Sequence, residues 1–175
     1  MQVYDPTRKF ILGEMACNIN TCNNLFSGSL DTGNNTMEDK CGRPLGLQFD
    51  RDQENLLVCD AYLGLLKYNI ASGKLTTLVA SETGVDGVPF KFVNHLAVSS
   101  SNKVYFTDSS WKWQRRDFPY MVLEAGGQGR VISYDMASGE TEVLLDGLFF
   151  PNGVALSPDE EFLVISETTA SRIMR

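Results

Sequence analysis

The sequence predicts an all-β propeller, present as an incomplete arc of about three blades. Three observations carry that prediction. A pair of short apolar strands closing on an acid occurs three times: Leu47-Gln48-Phe49 with Leu56-Leu57-Val58-Cys59-Asp60, Leu96-Ala97-Val98 with Val104-Tyr105-Phe106-Thr107-Asp108, and Val154-Ala155-Leu156 with Phe162-Leu163-Val164-Ile165-Ser166-Glu167. A second hairpin follows the first two copies, from Leu65 to Leu78 and from Val131 to Leu144, and both turn on the tripeptide Ala-Ser-Gly. Four strands in a unit of about 50 residues describe a propeller blade.

In chain order, Tyr4 to Leu12 reads as a weaker copy of the outer hairpin alone. Residues 1–40 are therefore expected to hold the end of a preceding blade plus a Cys- and Asn-rich loop. Residues 41–175 hold two whole blades and the inner half of another, stopping at Arg175 where a third strand is expected to begin. Propellers close with about 4 to 8 blades, so the chain is expected to be an arc of a larger ring with an incomplete catalytic apparatus.

Composition excludes some partners. Against 22 Asp and Glu stand 15 Lys and Arg, giving a net charge of −7 and a pI of about 4.7. The basic residues are scattered apart from Arg115-Arg116, which is no footprint for a phosphate backbone, so nucleic acid is not an expected partner. No apolar run approaches the roughly 20 residues of a spanning helix. No charged-then-apolar leader is visible either, so any membrane association is expected to come from a segment outside these residues.

Four cysteines, Cys17, Cys22, Cys41 and Cys59, admit three fully paired connectivities and match no paired C-x2-C zinc pattern. Three of them lie in a polar stretch with the sequon Asn34-Asn35-Thr36, which favours an oxidising, secretory setting, a disulfide pinning the loop, and glycosylation at Asn34. Free thiols and a chance sequon are the plainer alternative.

The repeat also superimposes candidate functional residues. Two positions before each inner strand stand Leu45, Asn94 and Asn152, and at the end of each second strand stand Asp60, Asp108 and Glu167. Antiparallel pairing brings both sets to one rim. Asn94 and Asn152 are then neighbours at the mouth of the channel, where amide oxygens suit a hard cation such as Ca2+. Each alone could be turn chemistry, as in Pro151-Asn152-Gly153, but their equivalence favours a ligand role. The acids are expected to bond the backbone of the adjacent turn. His95, the single histidine, reads as a rim residue, since no partner for a general base is visible and no Ser-His-Asp order can be assembled.

An inserted segment, Ser109 to Gln128, begins at that rim and carries Trp111, Trp113, Arg115, Arg116, Phe118, Tyr120 and Met121. It is expected to roof a pocket for an apolar ligand, with Phe92, His95, Asp108, Trp111 and Trp113 as lining candidates. A helix packed on the ring face, or a membrane-facing patch, are the alternatives.

Several motifs together then resemble the strictosidine synthase-like family: Cys41-Gly42-Arg43-Pro44-Leu45-Gly46, Asp60-Ala61-Tyr62-Leu63-Gly64-Leu65, Asp86-Gly87-Val88-Pro89-Phe90-Lys91-Phe92, Tyr105-Phe106-Thr107-Asp108-Ser109-Ser110 and Phe150-Pro151-Asn152-Gly153-Val154. Lys112 to Asp117 and Glu167-Thr168-Thr169 resemble its membrane-associated animal branch and the plant counterparts of that branch. The resemblance implies a six-bladed propeller in the secretory or endomembrane system, kinship with calcium-dependent paraoxonases and lactonases, and a disulfide between Cys22 and Cys41. It also implies a metal-ligand role for Asn94 and Asn152, positions that are Tyr and Gly in true strictosidine synthases. The hydrolytic branch is thus favoured: a Ca2+-dependent hydrolase of small apolar aryl esters or lactones. Leu45 stands where paraoxonases place a catalytic His, and His95 where an Asp often follows the first ligand. The alternatives are an amine-aldehyde condensing synthase and a propeller that binds a partner without turnover.

Overall fold

The computed structural model describes residues 38–175, and these form three antiparallel sheets in the order of the repeat. A single-turn helix α1 (Glu38–Cys41) precedes the first blade, β1 (Pro44–Phe49), β2 (Asn55–Asp60), β3 (Gly64–Asn69) and β4 (Lys74–Ala80). The second comprises β5 (Val93–Val98), β6 (Lys103–Asp108), β7 (Gly129–Asp135) and β8 (Thr141–Leu148), and the third β9 (Pro151–Leu156), β10 (Leu163–Glu167) and β11 (Arg172–Met174). Each sheet is a simple meander, every strand pairing with its sequence neighbour. The expected outer hairpin Tyr4 to Leu12, Cys17, Cys22 and Asn34 lie outside the described residues.

Two expectations are corrected. The chain enters the third strand of its last blade: Ile165, Ser166 and Glu167 pair with Met174, Ile173 and Arg172. The inner strands also begin earlier than their apolar runs suggest, at Pro44, Val93 and Pro151, which pair with the acids Asp60, Asp108 and Glu167. Between that first pair and the next regular one the register shifts in all three blades. Leu45, Asn94 and Asn152 therefore sit inside the strands, on β-bulges, rather than two residues before them. An extra residue in one strand leaves the ladder and turns its side chain out of the alternation, which is why the apolar pattern starts late.

Burial follows the period of two. Leu57 and Cys59 of β2 are wholly buried in the core between the first and second blades, with Leu65, Leu96, Val104, Phe106 and Ile132. Val58, between them in sequence, points to the other face with Leu66 and Tyr68. Each such apolar side chain removed from water contributes about 1.5–3 kcal/mol. A smaller core of Ala97, Val131, Leu148, Val154 and Ile165 joins the second blade to the third.

The turns repeat as closely as the strands. In the outer hairpins Asn69 Oδ1 accepts the N–H of Ser72, and Asp135 Oδ1 accepts those of Ala137 and Ser138, ahead of Gly73 and Gly139 at positive φ. In the inner hairpins Gln53, Asn102 and Glu160 hold φ near 60°. These turns clip one blade to the next at the rim away from the asparagines: Arg51 bonds Asn102 and Ser100, and Ser100 bonds Glu160.

Inner strands of consecutive blades also touch. A Cβ on Gly46 would lie 2.8 Å from the carbonyl oxygen of Asn94 and 2.8 Å from the Cα of His95, both backbone atoms that cannot move aside singly. Gly46→Ala is expected to lower stability by about 1–3 kcal/mol, as overpacking does. A thermal melt unchanged by this substitution would show that the inner strands have room to separate.

Candidate functional site

The site is built on the bulges of β5 and β9. In each, the strand's second residue is an asparagine whose amide nitrogen bonds a hydroxyl one residue beyond the partner strand's acid. Asn94 Nδ2 donates to Ser109 Oγ at 3.0 Å, and Asn152 Nδ2 to Thr168 Oγ1 at 3.2 Å. The bulge itself is held by a second pair of hydroxyls, with His95 N–H bonding Thr107 Oγ1 and Gly153 N–H bonding Ser166 Oγ. A third repeated bond closes the rim: the N–H groups of Ala61, Ser109 and Thr168 donate to the carbonyls of Arg43, Phe92 and Phe150.

Ser109 decides how the Asn94 amide is oriented. Its hydroxyl proton is given to Pro151 O at 2.7 Å, so toward Asn94 it can only accept, and the amide must present its NH2 group. The Asn94 carbonyl oxygen is left facing away, with no hydrogen bond among the described residues. The same seam is closed by Thr107 Oγ1 donating to Asn152 O at 2.9 Å and by His95 Nδ1 against the backbone of Val154. The first blade carries the apolar version of this set, Leu45 with Ala61, and Cys59 in place of the bulge hydroxyl. The Cys59 thiol is buried and free, and burial holds its pKa well above the usual range.

The repeated acids are all internal. Asp60 Oδ1 accepts the N–H groups of Tyr62 and Leu63, and burial pushes its pKa up against those bonds. Glu167 accepts the N–H of Phe149 and pairs with Arg172. Asp108 accepts the N–H of Phe92 and pairs with Arg130 at 2.6 Å, both side chains being buried. Burial pushes its carboxyl up to about 6, while the Arg130 charge pulls it down. Asp108, proposed from sequence as a lining residue, is thus enclosed and fully partnered. Phe92 is likewise buried, packed 5.7 Å from the ring of Phe150 under Met121. His95 is exposed beside Asn94. Phe150 holds φ at 56°, a strained conformation for an aromatic residue, directly before Pro151 and Asn152.

The insertion is a 3-10 turn (Arg115–Asp117) followed by α2 (Phe118–Glu124), with Pro119 in its first turn and Ala125 in the left-handed conformation at its end. Met121 anchors it in a cluster with Ala61, Phe92 and Phe150, against which Leu45, Tyr62 and Trp113 also pack. Trp113 stacks at a tilt on Tyr120, 5.7 Å away, and bonds Glu124. Trp111 remains partly exposed, and Tyr120 and Leu123 more so. Sequence reasoning missed what fastens this segment. Buried Glu38 of α1 pairs with Arg115 at 2.7 Å and accepts from Tyr62 OH at 2.8 Å, and the Tyr62 oxygen accepts the N–H of Arg116. Burial and the Glu38 bond push the Tyr62 pKa up to about 12. Cys41, at the end of α1, is disulfide-bonded, while the expected partner Cys22 lies outside the described residues.

Comparison with known proteins points to a family resemblance and a fold. The strictosidine synthase family profile matches residues 94–175, the stretch holding both asparagines and their hydroxyls. Adipocyte plasma membrane-associated protein of Danio rerio is 45% identical over 149 residues, which is 85% of this chain and 36% of that protein. By profile and by relatives, the chain is similar to the strictosidine synthase-like family. Strictosidine synthase-like 10 of Arabidopsis thaliana is 46% identical over 140 residues, covering 79% of this chain and 37% of that one. The chain spans about a third of the length of these relatives. Among solved structures, a gluconolactonase from Xanthomonas campestris superposes with a TM-score of 0.57 at 21% identity, over 74% of this chain and 42% of its own. The calcium-binding protein regucalcin from Agrobacterium tumefaciens gives 0.54 at 21%, over 75% and 38%. These two likenesses establish the propeller fold. Relatives are named for the plasma membrane, and among the described residues no helix is long and apolar enough to cross a membrane.

The Asp108–Arg130 pair makes a testable pH dependence. The folded-state value of about 6 lies above the ordinary 3.8, so this carboxyl's contribution to stability is fully present below about pH 4 and is lost as pH rises through 6. Arg130→Met removes the opposing charge, extends that loss to higher pH, and leaves a buried carboxylate unpaired at a cost of about 3–5 kcal/mol at pH 8. Thermal melts should show a larger gap between parent and variant at pH 8 than at pH 5; an equal gap would mean that Asp108 stays charged throughout.

Proposed function

We propose that this propeller acts as a calcium-dependent hydrolase of small apolar aryl esters or lactones. One observation carries the reading: Asn94 and Asn152 occupy equivalent bulges at one rim, each with its amide nitrogen tied back to a hydroxyl of its own blade. Tying back the nitrogen turns the carbonyl oxygen into the available group, which is the donor a hard cation takes. A turn residue needs no such repeated tether. Among the described residues no three His, Cys, Asp or Glu side chains cluster as a metal site. Further ligands would come from blades outside this arc.

Bound Ca2+ would polarise a substrate carbonyl as a Lewis acid. The chain's own residues do the rest. Leu45 and Trp113, packed on buried Met121, give the rim an apolar side for the substrate body, and Trp111 and Tyr120 extend it. His95 stands next to Asn94 in the strand, its Nδ1 engaged by the backbone of Val154, which orients the ring. The names of the gluconolactonase and of the calcium-binding regucalcin among the structural likenesses support the same class of chemistry. The disulfide at Cys41 and the relatives' names support a place in the secretory or endomembrane system, with membrane attachment through a segment outside the arc.

The test is a Ca2+ titration with a parallel aryl-ester assay on the intact protein. Asn94→Ala and Asn152→Ala are each expected to weaken Ca2+ binding at least about tenfold, since even second-shell losses cost that much. Glu140→Gln, on an exposed outer turn, should leave binding unchanged. Saturable binding without hydrolysis would recast the protein as a binding propeller, and unchanged affinity in both asparagine variants would remove them from the site.

A further inference from the structure

We infer that Ser109 is a positioning residue that makes Asn94 and Asn152 a single two-blade site, an inference that rests on the ligand reading above. Its hydroxyl is 1% exposed as a residue and makes two bonds with opposite roles. It accepts from Asn94 Nδ2 inside its own blade at 3.0 Å and donates to Pro151 O of the next blade at 2.7 Å. Pro151 is the residue directly before Asn152, on the far side of the same bulge. One buried hydroxyl therefore orients the first amide and fixes the strand end that carries the second.

The repeat shows that this is more than a strand-end cap. The equivalent positions are Ala61, Ser109 and Thr168, and the partner positions are Leu45, Asn94 and Asn152. Where the bulge carries an apolar side chain the following position has no hydroxyl, and where it carries an asparagine it does. The backbone closure made by the N–H of that position is identical in all three blades, so the hydroxyl is not needed to close the rim. Its two side-chain bonds serve the asparagines. Ser109 also reaches the neighbouring blade and ties its strand end to its own. With Ser109 cut to alanine, the Asn94 amide loses the acceptor that holds its nitrogen inward, and Pro151 O loses its donor.

The experiment measures Ca2+ affinity by calorimetry, with the thermal melt recorded in parallel. Ser109→Ala is expected to weaken Ca2+ binding about 10- to 100-fold, the usual cost of a lost second-shell partner. Ser109→Thr keeps the hydroxyl, as the third blade does with Thr168, and is expected to stay within about threefold of the parent. Asn94→Asp supplies the discriminating background: it retains an oxygen ligand but has no N–H for Ser109 to accept, so adding Ser109→Ala there should change affinity far less than in the parent. Val58→Ala, in the far-side core of the first blade, serves as a variant of reduced stability and is expected to melt earlier with its Ca2+ affinity intact. Equal losses from Ser109→Ala in both backgrounds, or none in either while the parent binds, would overturn the positioning role and leave the ligand assignment standing. A parent that binds no Ca2+ would overturn the ligand assignment and this role together.

Discussion

The rim of this propeller depends on one backbone irregularity repeated three times, the bulge at the second residue of each inner strand. A regular strand would alternate side chains between the two blade faces, both of which are packed core. The extra residue breaks that alternation, leaves the blade faces to the apolar residues that follow, and frees one position per blade to point elsewhere. A bulge costs a ladder hydrogen bond, and in the second and third blades Thr107 and Ser166 offset the loss by accepting the orphaned N–H. In the first blade the position is Cys59, an apolar thiol, and the bulged residue is Leu45. Polar tethers and polar bulge residues thus go together along the chain.

The buried acids belong to the same construction. Asp60, Asp108 and Glu167 each pair with the first residue of an inner strand, which places them directly behind the bulge. There they absorb N–H groups from the loops entering and leaving the rim: those after β2 in the first blade, and those before β5 and β9 in the other two. Two of them need a cation as well, and find it on their own blade as Arg130 and Arg172. A carboxylate with these partners is a structural anchor, unavailable to substrate. The chemistry of the rim is left to neutral amides and to what they bind.

Much of this was legible in the sequence, and the reason is the repeat. Equivalence across blades marked Asn94 and Asn152 as a pair, assigned the acids to the adjoining turns, and identified the Ala-Ser-Gly hairpins. The strand starts were misplaced because a bulge interrupts the apolar period at Leu45, Asn94 and Asn152, so the pattern-bearing part of each strand begins only at the following regular pair. The hydroxyls of Ser109 and Thr168 were visible one residue past each acid and went unread, since serine and threonine at a strand end are common enough to carry no signal until their partners are known. The fastening of the insertion was beyond sequence: Glu38 and Arg115 lie 77 residues apart, and only the folding of α1 against Tyr62 brings them within 2.7 Å.

That fastening bears on how the rim works. α2 is only seven residues long and leaves Tyr120 and Leu123 largely in solvent, so its own helical propensity cannot hold it in place. Its position is set by Met121 beneath it and by the Glu38–Tyr62–Arg115 network at its leading end. Both supports include residues of the first blade, Leu45 and Ala61 under Met121 and Tyr62 in the network. The second and third blades supply the amides. The arc is therefore divided by role: the first blade gives the apolar flank and helps hold the covering segment, which is inserted in the second, while the second and third carry the polar donors and are tied at this rim by side-chain hydrogen bonds from Ser109 and Thr107. A site assembled in this way gains its polarity contrast from substitutions at three equivalent positions per blade, with the backbone geometry of the blade unchanged.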